Sequence, residues 1–308
     1  MNVAEQYLAL KRRAERRHNL TESAHLTYAF AFAMFHEAEV EIQRRKRLLT
    51  AEDDQAIVSG QIPYTLPADF MDGLVRDGVL YILSSVVEAT LTEMSETEAR
   101  NEYDGFYGLE NATPVNWFYK GGSKAIGICP PASSGTLRLI YWKRPDAIDP
   151  ATGIYDGSSV GATFTLSDAT VTPASLTTIA EGQFTGDGTW QIGKGTLESP
   201  PTVWRTIESV TTSGGYITSL EMDSVYDGPT AAAQSFIVAK VSNLSKLYTD
   251  DAMGLLPVFY ALDDLEAAAE PGKPSWRERF ESTIASIGRS HPQVRQLGVS
   301  VGNAFGSH

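Results

Sequence analysis

The chain has 308 residues, 42% hydrophobic and 20% charged, proportions of a folded globular protein that exclude a disordered one. Its 38 acidic residues outnumber 25 basic ones, and the net charge of −13 excludes a general DNA-wrapping surface. No apolar run approaches the roughly 18 residues of a membrane span, Met1–Gln6 lacks the apolar core of a secretory leader, and the one cysteine, Cys129, leaves no intrachain disulfide or cysteine metal cage.

Folding in a cytosol is therefore expected. The charge is uneven: residues 1–50 hold nine Lys/Arg against six Asp/Glu. Residues 4–18 predict a basic helix with Tyr7, Leu8 and Leu10 as its few apolar anchors. Its cluster Lys11, Arg12, Arg13, Arg16 and Arg17 reads as a solvated or partner-facing face rather than a phosphate site. Thr21 is the expected cap of a second helix over 21–49, about 40 Å long. Tyr28, Ala31, Phe32, Phe35, Ala38 and Ile42 recur there at helical spacing, and Phe30 and Met34 widen the stripe. Arg44, Arg45, Lys46 and Arg47 suit the negative end of the helix dipole. So wide an apolar face suggests packing against a neighbour as well as against the chain's own sheet.

Around Gln61–Phe70 the period changes to two: Ile62, Tyr64 and Leu66 share one face, Pro67 ends the strand, and Phe70 can fold back onto that face. Arg76-Asp77-Gly78 reads as a hairpin turn between Gly73–Val75 and Val79–Ile82. Ser95-Glu96-Thr97-Glu98 is a capping box for a short helix to about Tyr103. Strands are expected at 115–119, 124–128 and 136–142, making a small antiparallel meander packed on the long helix.

Residues 150–240 are rich in Thr, Ser and Gly and lack a helical period. Strands at 162–166, 189–192, 203–207, 216–222 and 235–239 predict a small barrel or sandwich. Helix resumes with Pro257 in a first turn and Val258, Phe259, Ala261, Leu262 and Leu265 as its buried stripe. Ser275-Trp276-Arg277-Glu278 is a second capping box, opening a helix to about Ile287. The expected fold is therefore α+β: a helical bundle packed on a small antiparallel sheet, with an inserted all-β barrel or sandwich domain. Its divisions are 1–149, the insert 150–240, 241–288, and an extended C-terminal arm 289–308.

Catalytic patterns are lacking. His25 and His36 would lie about 16 Å apart on one helix, too far to share a metal. Gly186-Asp187-Gly188 reads as a turn, because Gln191 stands where a dinucleotide fingerprint needs its third glycine. Asp250-Asp251 and Asp263-Asp264 could hold Mg²⁺ but read as solvated faces. No acid pair suggests a glycoside hydrolase. No cofactor or metal is expected.

The order of elements is more informative. A long helix ending in charge precedes Pro63-Tyr64-x-Leu66-Pro67-x-Asp69-Phe70. Then come a Ser-capped helix, Pro114–Tyr119, Ile126–Pro131, Leu137–Pro145, and a helix bearing Leu256–Leu262. This order resembles the head-to-tail adaptor (connector) proteins of tailed bacteriophages, chiefly the short-tailed kind, over 20–149 and 241–287. The resemblance implies a structural virion protein, made in the host cytoplasm, with no enzymatic activity. It implies a homo-oligomeric ring, usually of twelve copies, beneath the portal protein. Such a ring extends the DNA channel and carries the tail nozzle protein. Genomic DNA would pass its lumen without sequence-specific binding, and no membrane is involved. On this reading the interface candidates are Tyr28, Phe32, Phe35, Arg44, Arg45, Arg47 and Tyr64, with Arg289, His291, Arg295 and Phe305 of a terminal docking arm. The alternative is a carbohydrate- or receptor-binding virion protein that stacks sugars on Trp190, Trp204 and Tyr216 of the β-module.

Overall fold

The fold comes from a computed structural model that describes residues 1–287 apart from 19–25, 60, 62, 104–111, 122–123, 149–152, 166–168, 175–177, 227–233, 243, 245–250 and 266–270. Mixed α+β structure is present, divided into two compact units: residues 42–145, and residues 1–41 with 146–308.

The 42–145 unit contains β1 (Thr50–Ala56), β2 (Tyr64–Thr65), β3 (Phe70–Leu83), β4 (Val86–Thr90), β5 (Thr92–Glu93), α3 (Glu96–Glu102), β6 (Asn116–Tyr119), β7 (Ala125–Cys129) and β8 (Thr136–Lys143). The expected single meander is instead two four-stranded sheets, β1-β8-β3-β4 and β2-β7-β6-β5, with β5 parallel to β6. One core joins them: Val79, Tyr81, Leu137 and Leu139 from the first pack with Tyr64, Leu66, Trp117, Ile126 and Ile128 from the second. The opposite face of β6 and β7 buries Phe118 and Cys129 with Ala99 of α3. The capping box of α3 forms as expected: the Glu98 backbone N–H donates to the Ser95 hydroxyl, and the Ser95 N–H to the Glu98 carboxylate.

The expected hairpin at Arg76-Asp77-Gly78 is absent, because these residues are a bulge inside the 14-residue β3. Leu74 pairs with Tyr141 and Val79 with Leu139, so four residues of β3 stand opposite one of β8. A bulge keeps the chain running in one direction, and Asp77 takes a positive φ of 58° within it. The reversal comes at Ser84 and Ser85, both left-handed (φ 52° and 67°), the conformation of a tight two-residue hairpin turn. After the two-residue β2, Pro67 ends the extended run as expected; the Tyr141 hydroxyl donates to Asp69 (2.7 Å) and the Phe70 ring packs near Tyr141.

In the other unit α1 (Val3–His18) packs on α5 (Leu256–Asp264) and on β15 (Phe236–Lys240). The expected solvated or partner-facing helix thus has one buried face, formed by Val3, Ala4, Leu8, Leu10 and Ala14. Asn2 caps it: the Glu5 N–H donates to the Asn2 side chain (3.0 Å), and the Asn2 N–H to the Glu5 carboxylate (2.9 Å). The buried Asn2 amide also donates to Gln191.

Helix α2 spans Tyr28–Lys46, shorter than expected at about 28 Å. The Phe30 N–H donates to the Thr27 hydroxyl, so Thr27 takes the capping role expected of Thr21, which lies outside the described residues. Residues 154–240 form one antiparallel sheet, in the order β10 (Ala162–Phe164), β11 (Thr170–Pro173), β14 (Tyr216–Met222), β13 (Arg205–Ser213), β12 (Trp190–Lys194), β15 and β9 (Ile154–Asp156). Its core includes Phe164, Trp190, Ile192, Ile207, Leu220 and Phe236. The short α4 (Asp251–Gly254) leads into α5, which has Pro257 in its first turn, and α6 (Trp276–Ser286) opens with the expected Ser275–Glu278 capping box.

Candidate functional site

Two surface features stand out in the 42–145 unit, both built on β3. The first is the tip of the β3–β4 hairpin. Leu83, Val86 and Val87 flank the Ser84-Ser85 turn and are 38%, 59% and 52% exposed. Strand β4 is the last in its sheet and carries a single charge, Glu88. The opposite edge strand, β1, is managed differently. Its Glu52, Asp53 and Asp54 make it acidic, the common way to keep an edge from pairing with another chain.

Arg138 of β8 grips that acidic edge. Its guanidinium donates two hydrogen bonds to Asp54 (2.6 and 2.7 Å) and lies 3.5 Å from Glu52. The hydrogen bond from Arg138 holds the Asp54 carboxyl below its usual range. A depressed carboxyl stabilises the fold fully above its unfolded value, about 3.9, and loses that contribution as pH falls through the lower folded value. Both side chains are more than a third exposed, so solvent and salt screen the pair. Asp54→Asn is expected to lower the unfolding free energy at neutral pH by less than about 1 kcal/mol. Urea titrations should show the difference shrinking in high salt and closing in acid.

The second feature is a cleft of about 340 Å³ beside the β3 bulge. Leu74, Leu91, Trp117 and Tyr119 are among its lining residues, Leu91 and Trp117 being buried; the Trp117 and Tyr119 rings meet edge-on at 5.0 Å. Charged side chains stand around it, including Arg47 and Arg76 and the carboxylates of Asp72, Asp77 and Glu93. Burial, with Glu93 and Asp72 nearby, pushes the Tyr119 hydroxyl pKa up, so it stays protonated at neutral pH. The bulge that builds this cleft is formed by residues that look like a turn in the sequence. Nothing in the spacing of Trp117 and Tyr119 distinguishes a cleft floor from an ordinary strand face.

The expected interface residues that the structure describes differ in their exposure. Phe32 and Phe35 are fully buried in the chain's own core, and Tyr64 is 1% exposed. That corrects the expectation that these three face a neighbour, since buried rings have no surface to offer. Tyr28 is half-buried between Tyr7 and Phe32, and burial pushes its pKa up to about 12. Arg44 and Arg45 are exposed at the end of α2; Arg47 follows it in a left-handed conformation (φ 51°) and lines the cleft. Arg289, His291, Arg295 and Phe305 lie outside the described residues. Of the three aromatics of the sugar-binding alternative, Trp190 is part of the β-core and Trp204 is partly buried, which leaves Tyr216 as the exposed ring.

Among the described residues no group of three or more His, Cys, Asp and Glu could hold a metal ion, and no helix is long and apolar enough to cross a membrane. A family model described as SU10 adaptor protein matches residues 5–176, more than half of the chain. No curated protein matches the sequence. The family match takes in α1 as well as α2, all of the 42–145 unit, and the sheet as far as β11; it begins before the expected stretch 20–149, continues into 150–240, and does not include 241–287. A match of that extent, over a body with a bare apolar tip and an acid-lined edge, places this protein: the chain belongs to the SU10 adaptor protein family, the structural, non-enzymatic adaptors of the bacteriophage virion, which work in contact with other neck proteins.

Proposed function

We propose that this adaptor assembles as a ring, of twelve copies, that docks under the portal of a short-tailed phage, extends the DNA channel and forms the platform on which the tail nozzle is built. The observation that carries the reading is the family match across the whole 42–145 unit, together with three exposed aliphatic side chains at the β3–β4 turn of that unit. Clustered exposed apolar residues mark places where a protein meets another surface. The net charge of −13 suits a channel wall that DNA slides past rather than sticks to.

On this reading the helices form a bundle that packs on sheet, and 150–240 is an inserted β-module. Its seven strands share one core, and paired hydrogen bonds between Ala162 and Gln234 join the edge strand β10 to the residue just ahead of the β15 stretch, as in a sheet that curls toward closure. The polar C-terminal arm, 289–308, is the portal-docking element. Native mass spectrometry and negative-stain imaging of the protein with its portal test the reading. Rings bound to portal are the expected result. Failure to bind portal at any salt concentration would remove it; a free chain that stays monomeric would not, because the portal can template assembly.

A further inference from the structure

Strand β4 is the least guarded sheet edge among the described residues. An edge strand presents backbone N–H and C=O groups with which another chain can pair. The other edges are protected or short. Strand β1 is acidic, and β2 and β5 have two residues each. In the 154–240 sheet, β9 has three residues ending in Asp156, and β10 has three and is bridged to Gln234. Strand β4 has five residues and one charge, Glu88, and its Val86 and Val87 are 59% and 52% exposed. Leu83 and Val86 pair beside the two-residue turn, so the N–H and C=O of Val87, the next residue, point to the free edge. Leu83 and Val86 also continue the face on which Val79 and Tyr81 are buried, past the end of the core.

A strand pattern without a sheet lies in the C-terminal arm. Leu297, Val299 and Val301 alternate with Gly298, Ser300 and Gly302, and no charge occurs from Gln296 to Ser307. A period of two is strand patterning, and the small residues of the second face let another backbone come close. Residues 288–308 lie outside the described residues. The ten residues from Gly288 to Leu297 reach at most about 33–36 Å, a little more than the roughly 30 Å of a small domain. The arm is therefore long enough to meet a neighbouring copy.

We propose that Leu297–Val301 of one copy adds as a strand beside β4 of a neighbouring copy. The arm's backbone pairs with Val87 and its neighbours, and Leu297, Val299 and Val301 lie on the face that Leu83 and Val86 extend. Main-chain pairing supplies the hold, and the alternating side chains choose the edge. The uncharged stretch sets no carboxylate beside Glu88. Each copy gives one strand and takes one, a head-to-tail contact that closes in a ring and leaves no β4 edge bare. A few ladder hydrogen bonds and three aliphatic side chains only narrowly offset the ordering of the arm. Two copies alone would therefore hold weakly, while ring closure or a template makes the contacts cooperative. The proposal rests on the ring reading and divides the arm assigned there to the portal: its basic start, with Arg289, His291 and Arg295, keeps that task.

Hydrogen exchange of the full-length chain, free and bound to portal, provides the test, with native mass spectrometry following association. Two variants remove the pairing from opposite sides. Val87→Pro takes the outward N–H off the edge, a position where an edge strand tolerates proline. Val299→Pro together with Ser300→Pro removes two consecutive N–H groups from the arm, so whichever faces β4 is lost. In the portal-bound wild type the β4 amides are expected to exchange about tenfold or more slower than in the free chain. Each variant is expected to weaken association by about tenfold or more. The arm prolines should also return the β4 amides of the remaining assembly to the free-chain rate. If Val87→Pro melts early, the arm prolines, which leave β4 untouched, decide alone. Four results each overturn the donated strand and leave the ring standing: assembly with β4 amides as fast as in the free chain, protection that survives the arm prolines, protection already complete in the free monomer, or association unchanged by both variants. No association with portal at any salt concentration overturns both.

Discussion

Replacing Gln43 by leucine is expected to destabilise the 42–145 unit by about 3–5 kcal/mol. Gln43 is 1% exposed, and its amide makes every hydrogen bond that a glutamine can make in this setting. Its Nε2 donates to the Leu49 carbonyl (2.8 Å) and the Lys143 carbonyl (2.9 Å). Its Oε1 accepts from the N–H groups of Leu48 (2.7 Å) and Leu49 (2.9 Å). One side chain thus holds the turn after α2 and ties it to the end of β8. Leucine fills similar space but leaves the Lys143 carbonyl and the Leu48 and Leu49 N–H groups without this partner, while the Leu49 carbonyl keeps the Lys143 N–H (3.1 Å); each buried unsatisfied group costs about 1–3 kcal/mol before relaxation and water entry. Against a domain stability of about 5–15 kcal/mol, the variant would be marginal. Gln43→Glu keeps the acceptor for both N–H groups but aims a carboxylate at two carbonyl oxygens. Its deficit should be larger at neutral pH than in mild acid, where a protonated carboxyl regains one donor. Urea unfolding of the three proteins at both pH values decides it; a leucine variant within about 1 kcal/mol of wild type would mean that these bonds are readily replaced by water.

Gly78→Ala should cost about 3 kcal/mol, while Gly73→Ala, five positions earlier in the same strand, should be neutral or slightly stabilising. The contrast isolates the bulge. At Gly78 an added Cβ would stand 2.7 Å from the Ile140 carbonyl oxygen and 2.7 Å from that of Val75. Both obstacles are backbone, one in the facing β8 and one in the bulge itself, so neither can swing aside. At Gly73 nothing lies within 4 Å, and a methyl group mainly reduces the freedom of the unfolded chain. Denaturant midpoints of the two variants check the pair; equal losses would show that the bulge is not the tight element described.

Much of this architecture was legible in the chain because it rests on short-range rules. Ser95 and Ser275, each followed at the third position by glutamate, form the capping boxes expected of them. Pro257 stands in a first helical turn. The alternating runs around Trp117, Ile126 and Leu139 became β6, β7 and β8. Other elements gave no such signal. Strand β1, Thr50–Ala56, has no apolar alternation, and what makes it a strand is its pairing with β8 and its contacts to Arg138. Thr27 and Asn2 cap α2 and α1, where the expected starts were Thr21 and residue 4; several residues near each start could cap a helix, and only packing selects one.

The candidate surface was less legible than the fold. The stripe of Tyr28, Phe32 and Phe35 shows which side of α2 is apolar, but periodicity is the same whether that side meets its own chain or another. In this protein the chain's own core takes Phe32 and Phe35. Arg76-Asp77-Gly78 has turn chemistry, and a turn and a bulge both need it; pairing with β8 on either side made it a bulge and opened a cleft. Hydrogen bonds and side-chain contacts between near neighbours are specified within a few residues, so caps, breaks and strand faces can be read along the chain. Burial, register and the meeting of Trp117 with Leu74 depend on segments dozens of residues apart, whose closure entropy is offset only when the whole core forms.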